Sequence, residues 1–176
     1  LEWVIGPALL DSFARLGAPD PQAALDLYRT RYTRVGLFEN HVYPGILEVL
    51  EKLVGDGHTL YLATAKPHVY ATKITAHFGL SRWLRQEFGP ELDGTRNNTG
   101  DLLQHALATT GIDPVRSVMI GDRIHDFDAA RFVNMRSVGV SWGYGGGDET
   151  AQATVLCDAP AGLPDAIQSA MTSALT

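Results

Sequence analysis

The sequence feature that most constrains the fold is an apolar run that ends at a glycine and precedes two aspartates four positions apart. The run is Met119–Gly121, and the aspartates are Asp122 and Asp126. This pattern predicts a buried strand, a tight turn and the first turn of a helix. Asp122 is therefore expected at the carboxyl end of a strand, where open α/β sheets place their chemistry.

Two carboxylates at the end of a strand can bind a metal ion, or they can only stabilise the start of the following helix. Their oxygens are hard ligands that can hold a divalent cation. Alternatively, Asp122 caps the helix and Asp126 complements the positive end of the helix dipole. The pattern alone leaves both interpretations open.

The remaining sequence predicts strands that alternate with helices. Residues 1–39 carry two apolar helical faces, the first over 3–16 and the second over 24–35, which suit helix packing or a mobile cap. The predicted strands cover 59–64, a short stretch near 87–88, 115–120, 137–141 and 153–157. The predicted later helices cover 44–53, 67–78, 99–110, 123–132 and a stretch from about 163. This alternation implies βαβ units and a parallel sheet.

Composition narrows the function classes. The net charge of −6 argues against a general nucleic-acid or anionic-membrane surface. No apolar run is long enough to span a bilayer, and no signal peptide is visible. Cys157 is the only cysteine, so no internal disulfide can form, and we expect it to be a small buried residue. We therefore expect a cytoplasmic protein with no nucleic-acid or membrane partner.

A second candidate site follows another apolar run. Thr64-Ala65-Lys66-Pro67 lies between a predicted strand and a predicted helix. A hydroxyl, backbone N–H groups at a helix start and a lysine suit a phosphate group. An ordinary strand-to-helix turn, with proline at the first helical position, explains the segment equally well.

Together these segments resemble the haloacid dehalogenase superfamily, in particular its phosphoglycolate-phosphatase-like branch. The segments that carry the resemblance are Val4–Pro7, Tyr43–Gly45, Ala63–Pro67, Leu92–Arg96, Gly121–Arg123 with Asp126, and Trp142–Gly145. The resemblance covers essentially the whole chain, in the order of that branch. It implies a Rossmann-like, three-layer α/β core with a parallel sheet over residues 42–176, and a small helical cap over residues 1–41 that is expected to be incomplete.

The resemblance also implies a chemistry. Such enzymes are Mg²⁺-dependent phosphatases that hydrolyse small phosphorylated metabolites through a phospho-aspartyl intermediate. By this resemblance, Thr64 with Ala65 and Lys66 would bind phosphate, and Asp122 would bind Mg²⁺. Asp126 would assist as a metal ligand, directly or through water, and is the catalytic candidate within this sequence.

Two departures from the family pattern bear on activity. The family begins with an apolar strand that ends in a nucleophilic Asp-x-Asp-Gly-Thr motif, which this sequence does not contain. The segment 91–95 is not a substitute, because Gly89-Pro90 precedes it and Glu91 stands where the nucleophile belongs. The branch also carries a lysine where Thr99 stands here, and Lys66 or Arg96 could supply that positive charge.

The first departure has a structural consequence. In the family sheet the missing strand lies between the strands that end near Thr64 and Ile120, and unpaired buried backbone groups there are costly. We therefore expect an N-terminal truncation of roughly thirty residues, enough for a strand and a helix, or another strand in that slot, for example from a second chain. We expect the phosphatase activity in the full-length parent and expect the 176-residue sequence itself to be inactive, because it lacks the nucleophile. The alternative function is a catalytically inactive phosphate-binding or regulatory protein. Dehalogenase or phosphonatase chemistry on the same fold is a weaker third possibility.

Three further side chains have open roles. Arg123 can touch phosphate or, as we favour, pair with a nearby acid. His125 is expected to face solvent. Trp142 and Tyr144 either border the substrate pocket or anchor a flexible turn. The sequence does not indicate the substrate or the oligomeric state.

Overall fold

The computed structural model describes residues 9–174, and the chain divides into two compact units between His41 and Val42. The first unit contains helices α1 (Leu9–Arg15) and α2 (Pro21–Arg34) and a short 3₁₀ turn (Gly36–Phe38). Asp20 starts α2, because its side chain accepts a hydrogen bond from the N–H of Ala23 at 3.0 Å. Trp3, Ile5 and the segment Val4–Pro7 lie outside the described residues.

The second unit alternates strands and helices. Its strands are β1 (Leu60–Ala63), β2 (Leu84–Phe88), β3 (Val118–Gly121), β4 (Arg136–Val140) and β5 (Val155–Cys157). Its helices are α3 (Ile46–Gly55), α4 (His68–His77), α5 (Thr99–Thr110), α6 (Ile124–Phe132), the four-residue α7 (Gly147–Thr150) and α8 (Leu163–Thr172). The predicted α/β alternation is confirmed.

All strand pairs in the described residues are parallel, but they form two separate sheets. β1 pairs with β2, and β4 lies between β3 and β5. β1 and β3, which the sequence analysis places on either side of a missing strand, are not hydrogen-bonded to each other within this described region. The expected interruption of the sheet is therefore present at the expected place.

Apolar clusters on both faces of the strands give a three-layer arrangement. On one face, Val49 and Leu53 of α3 pack with Val138 of β4 and with α8. On the other face, Met119 of β3 packs with Leu103 of α5 and with buried alanines of α6. Successive side chains along a strand point to opposite faces of the sheet. Met119 is the register partner of Ser137 and therefore shares its face, whereas the next residue, Val138, points to the other face. The Rossmann-like expectation is thereby confirmed.

Several element boundaries differ from the sequence-based prediction. Val115, predicted in a strand, lies in a 3₁₀ turn (Pro114–Arg116). This turn is favoured because the Asp113 side chain accepts a hydrogen bond from the N–H of Val115 at 2.9 Å. The strand begins only at Val118. Strand β2 begins at Leu84, earlier than expected, and its polar residues Arg85 and Gln86 explain why the apolar pattern missed them. Over residues 9–174, no helix is long and apolar enough to cross a membrane.

Candidate active site

Asp122 and Asp126 meet at the carboxyl end of β3. Asp122 directly follows the strand, and Asp126 lies in the first turn of α6, where its Oδ2 accepts a hydrogen bond from the N–H of Arg123 at 3.2 Å. Burial raises the pKa of Asp126 above its ordinary value; the Arg123 N–H opposes this shift, and the negative charge of Asp122 adds to it. The Asp126 side chain lies against the backbone of Gly121, the last residue of β3, so both aspartates lie at this end of the strand.

A distant loop fixes one oxygen of Asp122. The N–H groups of Tyr144 and Gly145 both donate to Asp122 Oδ2, at 2.6 and 3.0 Å. This close approach requires glycines, because a Cβ at Gly143 would overlap the Asp122 side chain and a Cβ at Gly145 would overlap its carbonyl oxygen. No hydrogen bond to the other carboxylate oxygen, Oδ1, is found among the described residues, so it is available to a ligand.

Trp142 and Tyr144 therefore play different parts in this loop. Trp142 packs against the apolar cluster that contains β4 and α8, which supports the hydrophobic-anchor interpretation. The Tyr144 side chain is 73% exposed, and it is the backbone of this residue that contacts Asp122.

Arg123 pairs with Glu149, an acid that the sequence analysis did not identify. Glu149 Oε2 lies 3.0 Å from Arg123 Nε and 2.8 Å from the N–H of Ile124, the first residue of α6. These contacts hold the pKa of Glu149 below its ordinary value, the Ile124 N–H contributing most. The expectation that Arg123 pairs with an acid is confirmed.

The predicted phosphate-binding turn follows β1. The Thr64 hydroxyl accepts a hydrogen bond from the N–H of Lys66 at 3.1 Å, and the Thr64 N–H donates to Phe88 O at 3.1 Å. Because the hydroxyl oxygen accepts here, its own proton remains available for donation to an anion. Thr64 is half-buried, whereas Ala65 and Lys66 are exposed.

The loop after β2 packs directly on this turn. The N–H of His68 donates to Pro90 O at 2.9 Å, and Pro90 is fully buried. A Cβ at Gly89 would lie 2.5 Å from Lys66 O and 3.0 Å from His68 N, so only glycine fits between β2 and this turn.

The segment 91–95 forms a turn and does not end a strand. Asp93 accepts a hydrogen bond from the N–H of Thr95 at 2.9 Å, so its carboxylate is engaged locally. Arg96 adopts the left-handed conformation (φ 64°) and pairs with Glu91 at 2.7 Å. The rejection of this segment as a nucleophile motif is consistent with this geometry, and Arg96 already has an acidic partner.

Thr99 begins α5 and is half-buried. The Asn98 side chain caps this helix by accepting hydrogen bonds from the N–H groups of Gly100 and Asp101, at 2.8 and 3.2 Å. His125 is exposed, as expected, and Cys157 is buried and unpaired, also as expected.

The donor set suits Mg²⁺ better than a metal that needs a full protein cage. Within residues 9–174, no three His, Cys, Asp or Glu side chains gather around one point. Mg²⁺ is usually held by one or two carboxylates and completes its octahedron with water and substrate phosphate. Two adjacent aspartates, one with a free oxygen, fit that pattern.

Comparison with known proteins then decides the family. The model of the haloacid dehalogenase-like hydrolases matches residues 4–134. The chain belongs to the haloacid dehalogenase-like hydrolase family. The resemblance inferred from the sequence is thereby confirmed, and Thr64, Asp122 and Asp126 all lie within the matched range.

Relatives that match the chain bear the names of several activities. A 5'-nucleotidase from Pseudomonas aeruginosa is 42% identical over 174 residues, which cover 96% of this chain and 79% of that protein. The tyrosine-protein kinase PtkA of Mycobacterium tuberculosis is 35% identical over 82% of the chain, and a phosphoglycolate phosphatase from Psychrobacter arcticus is 32% identical over 69%. The chain spans only about half the length of these last two relatives, 50% and 53%.

A solved structure of this family has the same fold. A putative phosphatase from Clostridium difficile superposes with a TM-score of 0.87 at 32% identity, covering 94% of this chain and 80% of that one. The haloacid dehalogenase-like fold is therefore shown for the chain.

Sequence reasoning missed Glu149 and the backbone donors of residues 144 and 145. The signal for the donors was present in the alternation of glycine with larger residues over 142–147, which is typical of a backbone that approaches another group closely. Glu149 gave no such signal, because acids in the first turn of a helix are common for other reasons.

Proposed function

We propose that the protein is a Mg²⁺-dependent phosphatase that hydrolyses a small organic phosphate monoester through a phospho-aspartyl intermediate. The observation that carries this proposal is the Asp122–Asp126 pair at the end of β3, with one Asp122 oxygen tied to backbone N–H groups at 2.6 and 3.0 Å. Such a fixed carboxylate is preorganised to bind a cation.

The cation site would use the two aspartates. Asp122 would present Oδ1, and Asp126 would complete the site directly or through a water molecule. Bound Mg²⁺ would supply neutralisation of the charge on the transferring phosphoryl group.

The phosphate group would lie against the turn that follows β1. The Thr64 hydroxyl has a proton to donate, since its oxygen already accepts the N–H of Lys66. Lys66 would add positive charge, and Ala65 would leave the backbone of the turn accessible. These three residues are proposed as the phosphate-binding set.

The nucleophile in this proposal is an aspartate on a strand between β1 and β3. The edges of these two strands are not paired with each other in the described residues, and buried strand edges favour a hydrogen-bonding neighbour. Its carboxylate oxygen would attack phosphorus while the bond from phosphorus to the ester oxygen breaks. Water would then cleave the acyl phosphate, releasing inorganic phosphate and restoring the carboxylate. Residues 1–41 are proposed to belong to the family's helical cap.

A second candidate function, a catalytically inactive phosphate-binding or regulatory protein, is favoured by Thr99. The branch carries a lysine at this position, and the half-buried Thr99 at the start of α5 brings no charge.

The proposal is tested by phosphate release from a panel of monoesters. The panel includes phosphoglycolate, sugar phosphates and, because one relative is a 5'-nucleotidase, nucleoside 5'-monophosphates. We expect the full-length protein, which would include the nucleophilic strand, to release phosphate from at least one compound with Mg²⁺ and to release none after addition of EDTA. Binding of phosphate without release from any compound would favour the inactive alternative. A cytoplasmic location, without nucleic-acid or membrane partners, remains part of this proposal.

A further inference from the structure

Glu149 is held in a fixed place by its own short helix. The N–H of Glu149 donates to Gly146 O at 2.9 Å, and the next residue, Thr150, is buried. A Cβ at Gly139 of β4 would lie 2.8 Å from Thr150 O, so α7 packs directly on that strand. The sheet therefore determines where the Glu149 carboxylate lies.

One oxygen of Glu149 contacts two successive residues at the start of α6. Oε2 accepts the N–H of Ile124 at 2.8 Å and the Nε–H of Arg123 at 3.0 Å. The N–H of Ile124 belongs to the first turn of α6, where helices have no internal acceptor. Both charged side chains are about one-third exposed, 33% for Arg123 and 30% for Glu149.

Arg123 adjoins both candidate metal ligands, so its guanidinium is the cationic group nearest to them in sequence. Arg123 follows Asp122 directly, and its backbone N–H already donates to Asp126 at 3.2 Å. A guanidinium forms strong, often bidentate, hydrogen bonds with carboxylates. It would therefore compete with a cation for the same oxygens.

We propose that Glu149 is a positioning residue that holds the guanidinium of Arg123 away from Asp122 and Asp126, so that both carboxylates stay open to the cation. This inference rests on the proposed function, because it presumes that the two aspartates bind a divalent metal. It assigns a role to a residue 26 positions from Arg123 in sequence.

The test is a double-mutant cycle read out by Mn²⁺ binding, measured by electron paramagnetic resonance. Glu149→Gln retains an acceptor for the Ile124 N–H but removes the charge that attracts Arg123. We expect the dissociation constant of the Glu149→Gln variant for Mn²⁺ to rise about tenfold. This is the lower end of the effect seen when a residue that positions the metal ligands is replaced. Asp148→Asn is the matched control, because it removes the same charge one residue away at an exposed position, and we expect a change within about twofold.

Arg123→Met distinguishes competition from a general field effect. If Glu149 only restrains the guanidinium, Arg123→Met alone leaves the Mn²⁺ affinity close to that of the wild type, and the double variant regains most of the lost affinity. If the two charges act independently, Arg123→Met strengthens Mn²⁺ binding by the same factor in the wild-type protein and in the Glu149→Gln variant. That additive result would overturn the inference.

The outcomes separate this inference from the proposed function. Failure of the wild-type protein to bind Mn²⁺ contradicts both the metal site and the role of Glu149. Binding by the wild type with an additive cycle contradicts the role of Glu149 only. If Glu149→Gln does not fold, Glu149→Asp replaces it in the same cycle, because the shorter side chain withdraws the carboxylate from the guanidinium.

Discussion

The N–H of Gly145 donates to Oδ2 of Asp122 at 3.0 Å, although the two residues are 23 positions apart in sequence. The loop that follows β4 thereby holds the carboxylate that follows β3, its neighbour in the sheet. In parallel sheets the carboxyl ends of adjacent strands lie at one edge, so the loops there can contact each other. This relationship makes the orientation of Asp122 depend on a glycine that carries no chemistry of its own.

Gly145→Ala tests that dependence. The added Cβ would overlap the carbonyl oxygen of Asp122, so the loop has to move and both N–H donors leave Oδ2. In the full-length protein, we expect kcat/KM for phosphate release to fall about 10²-fold, as for a misplacement near 1 Å. Gly146→Ala is the control, because a Cβ there meets no atom within 4 Å. Equal activity of the two variants would mean that the loop does not orient Asp122.

Asp126→Asn is expected to change the pH dependence of stability. The pKa of Asp126 is raised in the folded protein, chiefly by burial, so the folded state holds the proton more tightly than the unfolded chain. The wild type therefore loses stability as pH rises from the unfolded value, about 3.9, through the raised value. Asn carries no such charge and can still accept the Arg123 N–H. We expect the free energy of unfolding of Asp126→Asn, measured by urea denaturation with EDTA, to increase relative to that of the wild type as the pH rises from 3 to 7. A difference that does not vary with pH would contradict the burial argument.

Gly89→Ala should destabilise the protein. Its Cβ would lie 2.5 Å from Lys66 O and 3.0 Å from His68 N, and neither backbone atom can yield as a side chain would. We expect a loss of about 1–3 kcal/mol in the free energy of unfolding, as for overpacking. Gly55→Ala at the end of α3 meets no atom within 4 Å and should instead gain about 0.5–1 kcal/mol. Equal stabilities in chemical denaturation would count against the close packing of this turn.

Lys66→Ala tests the proposed phosphate-binding turn. Loss of its charge should weaken the binding of inorganic phosphate, measured by calorimetry with Mg²⁺ present, by about tenfold, as for one charge-assisted hydrogen bond. Lys73→Ala removes the same charge from an exposed position of α4 and should leave affinity within about twofold. An unchanged affinity in Lys66→Ala would remove Lys66 as a substitute for the lysine absent at Thr99.

The sequence predicted most of the second unit because its elements have clear periods. Apolar runs such as Met119–Gly121 predict buried strands, and Gly111, in the left-handed conformation, marks the end of α5 as expected. The prediction was less accurate where polar side chains occupy a strand, as at Arg85, or where a proline and an aspartate favour a 3₁₀ turn, as at Val115.

The candidate site was predictable only in part. Asp122 and Asp126 are separated by a single strand-to-helix turn, so the local pattern alone predicts that both lie at the carboxyl end of β3. The contacts of Asp122 with residue 145 and of Arg123 with Glu149 join loops from two strands, and no local pattern encodes which loop residues meet. These contacts depend on the packing of α7 on β4, which is tertiary information.

The most direct test is phosphate release by the full-length protein that includes the nucleophilic strand and by its Asp122→Asn variant, each with Mg²⁺ and with EDTA. The substrate is the most active compound of the monoester panel. Asn at 122 can still accept the N–H groups of Tyr144 and Gly145 but lacks the charge for the cation. We expect Mg²⁺-dependent release by the unsubstituted full-length protein and release at the EDTA level by the variant. Release that is independent of Mg²⁺, or equal in the two proteins, would contradict the proposed function.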